Sequence, residues 1–288
     1  MHNVILVTGS SGQLGYDLVR LLKEEEVEVI ACSHEILDIT KSEDVKEYFN
    51  QVLPTIVIHC AAYTNVDLSE SEIDYSFKVN AIGTRNVTVA AESVGAKLVY
   101  LSTDYVFDGE SNVPYHEFKP TSPLGIYGKS KLAGEKYVTS LSTKYFIVRT
   151  SWIFGSNGNN FVETMLKLSQ EKDRLNVVND QRGCPTYSVD LANCIINMIK
   201  TDYYGIYHVS NSGSCTWYEF AIAIFEEAGI KIQVNPVSTE EFPRLARRPS
   251  YSVFDHMALR LNGLPDMRHW REALRSYLKA TKSLEEKV

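Results

Sequence analysis

Paired cysteines, long apolar stretches, metal-binding clusters and blocks of one charge are all scarce in this chain of 288 residues. Each absence excludes a class of function. The five cysteines, Cys32, Cys60, Cys184, Cys194 and Cys215, are odd in number and widely spaced, with no Cys-x-x-Cys pair. That pattern argues against a disulfide scaffold or a zinc knuckle and fits reduced thiols buried as small hydrophobes. The seven histidines form no His-x-x-x-His or Cys/His cluster, so no metal catalysis is expected. Near the start the longest apolar run is Val4 to Val7, far short of a signal or membrane-spanning segment, and a soluble protein of the cytoplasm is expected. The balance of 29 Lys+Arg against 36 Asp+Glu gives −7, with no like-charge block beyond Glu24-Glu25-Glu26. Nucleic acid and anionic membrane surfaces are therefore poor partners. What remains, 44% hydrophobic and 23% charged, is the composition of a globular chain.

Short runs rich in β-branched residues recur at Val4–Thr8, Val27–Cys32, Ile56–Cys60, Leu98–Leu101 and Phe146–Arg149. Amphipathic stretches separate them at Leu14–Lys23, Asp44–Gln51, Phe77–Val94 and Tyr127–Leu141. Continuous apolar runs are the mark of strands covered on both faces, and strict alternation with helices predicts an α/β fold with a doubly wound, Rossmann-like parallel sheet. Ligands on such a sheet bind at the carboxyl ends of its strands. After Trp152 the rhythm changes to a Gly/Asn-rich loop, a helix from Phe161, a strand near Leu175–Val178, a helix from Asp190 and a strand at Ile206–Val209, with mostly helix and loop from Ser212.

Three motifs carry chemistry. Gly9, Gly12 and Gly15 open the first helix directly after the first strand. There glycines let backbone N–H groups approach a pyrophosphate, so a dinucleotide is expected. The second strand ends in Ala31-Cys32-Ser33-His34 without a carboxylate at its tip, which favours NADPH, with NADH the alternative because Glu35 follows closely. Tyr127 and Lys131 stand four apart on one helix face, where the ammonium is expected to lower the phenol's pKa. Thr103, in Ser102-Thr103-Asp104-Tyr105 at the end of the fourth strand, can hydrogen-bond an oxygen that gains charge as hydride arrives. Residues 1–154, rejoined by about 174–211, are expected to form the NAD(P)-binding domain, and about 155–173 with 212–288 a smaller, mostly helical C-terminal substrate lobe.

Together these motifs resemble the extended short-chain dehydrogenase/reductase superfamily and, within it, the dTDP-4-dehydrorhamnose reductase family. Gly12-Gln13-Leu14-Gly15, Leu37-Asp38-Ile39-Thr40, Val148 to Trp152, Asn159-Asn160-Phe161-Val162 and Arg248-Pro249-Ser250-Tyr251 carry the likeness, which spans about residues 3–275. The resemblance implies reduction of the C4 ketone of a dTDP-linked 4-keto-6-deoxyhexose by NAD(P)H. It assigns catalysis to Thr103, Tyr127 and Lys131, and cofactor contacts to Gln13, Leu14, Asp38, Ile39, Ala61, Ala62, Tyr63, Tyr127 and Lys131, beside the three glycines. Substrate contacts are expected at Thr103, Asp104, Tyr105, Trp152, Asn160 and Arg248, the last as a planar donor for diphosphate. Some family members dimerise around Mg²⁺ held by glutamates. The matching positions here are Asp17 and Val189, which departs from that pattern and puts both Mg²⁺ and that dimer in doubt, leaving a monomer or homodimer.

Rival readings are another nucleotide-sugar enzyme of the superfamily, a 4-ketoreductase or epimerase, and a non-catalytic nucleotide-binding regulatory subunit. Dehydratases of the superfamily carry Thr-Asp-Glu where this chain has Thr103-Asp104-Tyr105, and the missing glutamate favours reduction, which needs no carbon acid deprotonated.

Overall fold

The computed structural model describes residues 3–25 and 27–285; Glu26 of the acidic triplet lies outside the described residues, as do 1–2 and 286–288 of the expected domain ranges. The β-branched runs become strands β1 (Val4–Thr8), β2 (Glu28–Cys32), β3 (Ile56–His59), β4 (Lys97–Thr103) and β5 (Tyr145–Thr150). Between them lie helices α1 (Gln13–Glu24), α2 (Ser42–Val52), α3 (Thr84–Ser93) and α4 (Ile126–Leu141). Beyond these come α5 (Phe161–Glu171), β6 (Arg174–Val178), α6 (Ser188–Ile199), β7 (Gly205–His208), α7 (Trp217–Ala228), β8 (Gln233–Val237) and α8 (Trp270–Glu285).

Six strands pair in the order β7-β5-β4-β3-β1-β2, every pair parallel. The chain runs from β1 to the edge at β2 and returns on the other side of β1 as β3, which puts the switch of winding direction between β1 and β3. Side chains alternate across this sheet. Ile5 and Val7 join Leu14, Leu18, Leu191 and Ile195 in the core under α1 and α6, while Leu6 joins Val45, Phe49, Val87 and Tyr100 in the core under α2 and α3. Both faces are dry, which is why the strands read as unbroken apolar runs.

A third core, with Val162, Met165, Leu175, Val177, Phe220 and Leu274, belongs to the later segments. The strand expected near Leu175–Val178 forms, but it pairs in parallel with β8 instead of rejoining the large sheet. Its alternation explains the difference: Leu175 and Val177 are buried while Arg174 and Asn176 are exposed, and a strand with one wet face cannot sit inside a sheet covered on both sides. The helix expected over Phe77–Val94 is composite, passing from Ile73–Phe77 through a π-helical stretch, Lys78–Gly83, into α3. Among the described residues no helix is long and apolar enough to cross a membrane.

Candidate active site

A cleft of about 720 Å³ follows the carboxyl ends of β1 to β5. At its β1 end the turn is set by glycine. Gly9 has φ +65°, and a Cβ on Gly15 would stand 2.3 Å from the Gly9 carbonyl, so neither position accepts a side chain without moving backbone. Gly12 caps α1 with no side-chain hydrogen bond, and the first turn holds no acid. The helix thus offers unfilled N–H groups to an anion. Gly9, Gly12, Gln13, Leu14 and Gly15 all line the cleft, as do Asp38 and Ile39 after β2 and Ala61, Ala62 and Tyr63 after β3. Burial works against the Asp38 carboxylate, but the Thr40 hydroxyl and N–H, at 2.8 and 3.0 Å, outweigh it and hold the group below its ordinary pKa. Asn80 fixes Tyr63 by bonding both its N–H (2.8 Å) and its carbonyl (3.0 Å). His34 reaches the cleft; the exposed Glu35 is not among its lining residues.

At the β4 end the cleft is walled by Thr103, Asp104 and Tyr105 from the strand terminus and by Tyr127 and Lys131 from α4. The two elements meet closely because Gly128 has no side chain: a Cβ there would lie 2.1 Å from the Tyr105 carbonyl. Tyr105 and Tyr127 pack edge to face with centroids 5.4 Å apart. Thr103 Oγ1 donates to Asp104 Oδ1 at 3.0 Å. Asp104 Oδ2 has no partner in hydrogen-bond geometry, although Ser252 lies near enough to oppose the burial that pushes this carboxyl up to about 6.

The electrostatics of the Tyr/Lys pair differ from expectation. Burial pushes the Tyr127 phenol up to about 12, the Thr103 hydroxyl pulls it down, and the charge of Asp104 pushes it up again. Lys131 is not one of the groups that set it. Burial instead lowers the Lys131 ammonium to about 7, opposed by Glu135 one turn along the helix. Tyr127 is therefore a phenol that keeps its proton at neutral pH.

Trp152 also lines the cleft, in a left-handed backbone conformation (φ +46°) that is rare for a bulky residue and common at functional sites. Its ring stacks on Trp217 at 3.4 Å between centroids and 8° between planes. Asn160 and Arg248 do not line the cleft. Asn160 caps α5, accepting from Glu163 N at 3.1 Å and donating to the Gly155 carbonyl at 2.8 Å. Arg248 grips Asp67 with two bonds of 2.9 and 3.0 Å. The buried Asp17 is engaged by Ser188 Oγ at 2.5 Å and by Arg20, and Val189 has no donor, so these positions do not offer a metal its ligands.

Sequence reading missed Val66, on a helix of four residues too short for periodicity to reveal, and Tyr75, on the first segment of the composite helix before its π-helical stretch breaks the period. It also missed a buried network behind the site. Glu135 takes two bonds from Arg149 at 2.9 and 2.7 Å and one from Ser102 at 2.5 Å. A glutamate spaced one helical turn from Lys131 and an arginine inside an apolar strand were the available signals.

The model of the RmlD substrate binding domain family matches residues 1–283. The spore coat polysaccharide biosynthesis protein SpsK of Bacillus subtilis (strain 168) is 46% identical over 279 residues, 97% of this chain and 98% of that one. A dTDP-4-dehydrorhamnose reductase of Aggregatibacter actinomycetemcomitans is 42% identical over 264 residues, 87% of this chain and 90% of that one. The crystal structure of dTDP-4-dehydrorhamnose reductase from Bacillus anthracis str. Ames in complex with NADP is similar with a TM-score of 0.96 and 50% identity, covering 97% of this chain and 100% of that one.

Proposed function

The chain belongs to the RmlD substrate binding domain family, and from that membership we propose that it reduces the C4 ketone of dTDP-4-dehydro-L-rhamnose to dTDP-L-rhamnose with NADPH. The observation that carries the reading is that Thr103, Tyr127 and Lys131, from β4 and α4, line the same cleft as the glycine turn after β1. The residues present fit the dinucleotide. The uncapped start of α1 suits its pyrophosphate, and the tip of β2 brings no carboxylate to repel a 2′-phosphate.

When bound, NADPH supplies a hydride to the ketone carbon. Tyr127 is protonated at neutral pH and gives its phenolic proton to the ketone oxygen, because the alkoxide formed there is a stronger base than the phenolate left behind. Thr103 turns its hydroxyl from Asp104 to that oxygen and stabilises the developing charge. Lys131 holds the nicotinamide ribose. Asp104, with one carboxylate oxygen unengaged, accepts from a sugar hydroxyl, while Tyr105 and Trp152 bound the sugar's apolar face. Asn160 and Arg248, committed elsewhere, are left out of the substrate contacts. Elimination, the chemistry of the related dehydratases, would need a second carboxylic acid where Tyr105 stands.

We assign the strands of the large sheet with α1 to α4 and α6 to the cofactor domain, and residues 155–183 with 212–285 to the lobe that covers the nucleotide. The net charge of −7 disfavours binding to nucleic acid or anionic membrane surfaces, and we assign the chain to the cytoplasm as a monomer or homodimer. Incubation of the pure chain with NADPH and dTDP-4-dehydro-L-rhamnose, followed by product analysis, tests the reading. Formation of dTDP-L-rhamnose is expected, and no turnover of the authentic ketosugar would overturn it.

A further inference from the structure

Lys131 is buried against a side chain that neither its spacing from Tyr127 nor the glycine turn points to. Tyr100 lies in the middle of β4, fully buried, and is one strand residue removed from the cleft lining. We propose that Tyr100 is the positioning residue for Lys131: its ring carries the ammonium 4.3 Å from the centroid, and its hydroxyl donates to the Lys131 carbonyl at 3.1 Å. Both ends of the lysine are thereby fixed on one rigid group. The proposal rests on the reading that Lys131 serves bound NADPH.

The surroundings make Tyr100 hard to replace. A Cβ on Gly134 would stand 2.3 Å from Tyr100 Oη, so α4 can lie this close only with glycine there. The ring also stacks on His59 at 5.8 Å, and His59 is itself held by Thr8 at 2.7 Å and Thr84 at 3.2 Å. Among the described residues no carboxylate comes within ion-pair distance of Lys131 Nζ. Glu135, one turn along the helix, has its oxygens taken by Arg149 and Ser102.

An aromatic face has an advantage over a carboxylate here. It stabilises the positive charge through its quadrupole while leaving the three N–H donors unengaged, so they remain available to cofactor hydroxyls. A carboxylate would compete for the same donors. The charge needs such support because burial disfavours it, opposed by Glu135 on the same helix and by Cys60 just after β3, while His59 at the end of β3 also faces it.

The test uses the full chain with Tyr100→Phe, Tyr100→Leu and Lys131→Met, measuring KM for NADPH and the pH profile of kcat/KM at saturating sugar nucleotide. Tyr100→Phe keeps the ring and is expected to stay within about 2-fold of the parent, since the hydroxyl bond is the smaller contribution. Tyr100→Leu is expected to raise KM for NADPH about 3- to 30-fold, with a smaller effect on kcat. Its alkaline limb should move about one pH unit lower, because an ammonium without the ring loses its proton more readily. If the leucine variant does not fold, Tyr100→Phe carrying a progressively fluorinated ring keeps the shape and weakens the quadrupole, and KM should rise with each fluorine. A leucine variant with an unshifted limb, activity losses that merely follow Tm, or indifference to fluorination would overturn the proposal. Lys131→Met with the parent's KM for NADPH would instead overturn the reading of Lys131 itself, whatever the Tyr100 variants do.

Discussion

The cleft is built from different materials at its two ends. Over β1 it is made of backbone: a turn at Gly9, an uncapped helix start at Gly12 and the small side chains of Ala61 and Ala62. Over β4 it is made of polar side chains taken out of water, Thr103, Asp104, Tyr127 and Lys131, three of them with displaced pKa values. A backbone site binds an anion with groups that are present in any sequence, so it needs only the absence of side chains. A buried side-chain site needs supporting groups around it, here Tyr100 against Lys131 and the Glu135–Arg149 pair behind the cleft.

If the ends are separable, one variant should silence chemistry and spare cofactor binding. Tyr127→Phe is expected to lower kcat about 10²- to 10⁴-fold while NADPH titration gives the parent's affinity. A parallel loss of NADPH affinity would show that the ends act as one. Next in size, Glu135→Gln leaves the Arg149 guanidinium buried without its counter-charge, and urea unfolding should show a loss of about 3–5 kcal/mol. A loss below about 1 kcal/mol would mean that water relieves the arginine.

The β1 end should fail in a different way. Gly15→Ala forces the helix start away from the Gly9 carbonyl, costing about 1–3 kcal/mol of stability. NADPH affinity should fall, and kcat at saturating NADPH should hold. The smallest effect is expected at Asp104. Because its carboxyl is raised to about 6 in the fold, ionisation opposes the native state, so the stability linked to its proton is lost as pH rises through about 6. Asp104→Asn should therefore gain a few degrees in Tm above pH 6, and the gain should shrink toward pH 4. A gain independent of pH would assign the effect to packing.

This same contrast governs what could be read from the residues alone. The β1 end is local: strand, glycine turn and helix adjoin in the chain, so spacing revealed it. Tyr127 and Lys131 were legible because one helix carries both. Their electrostatics were not, since burial by the rest of the fold dominates both, and the groups that adjust Tyr127, Thr103 and Asp104, arrive from the end of β4. Asn160 and Arg248 looked like ligand donors by type, but the start of α5 and the carboxylate of Asp67 claim them. β6 read as a strand and was given to the wrong sheet, because its partner β8 lies more than fifty residues on and contains Pro236, which weakens the pattern. The π-helical stretch before α3 has no sequence period to show it.

The most direct measurement follows the hydride and the proton together. With NADPH carrying deuterium at the nicotinamide C4 position that is transferred, and dTDP-4-dehydro-L-rhamnose as acceptor, mass and NMR analysis should find the deuterium on C4 of dTDP-L-rhamnose. The Tyr127→Phe variant should form that labelled product at least about a hundredfold more slowly. Deuterium at another carbon, or equal rates from parent and variant, would contradict the assignment of this cleft to ketone reduction with Tyr127 as its acid.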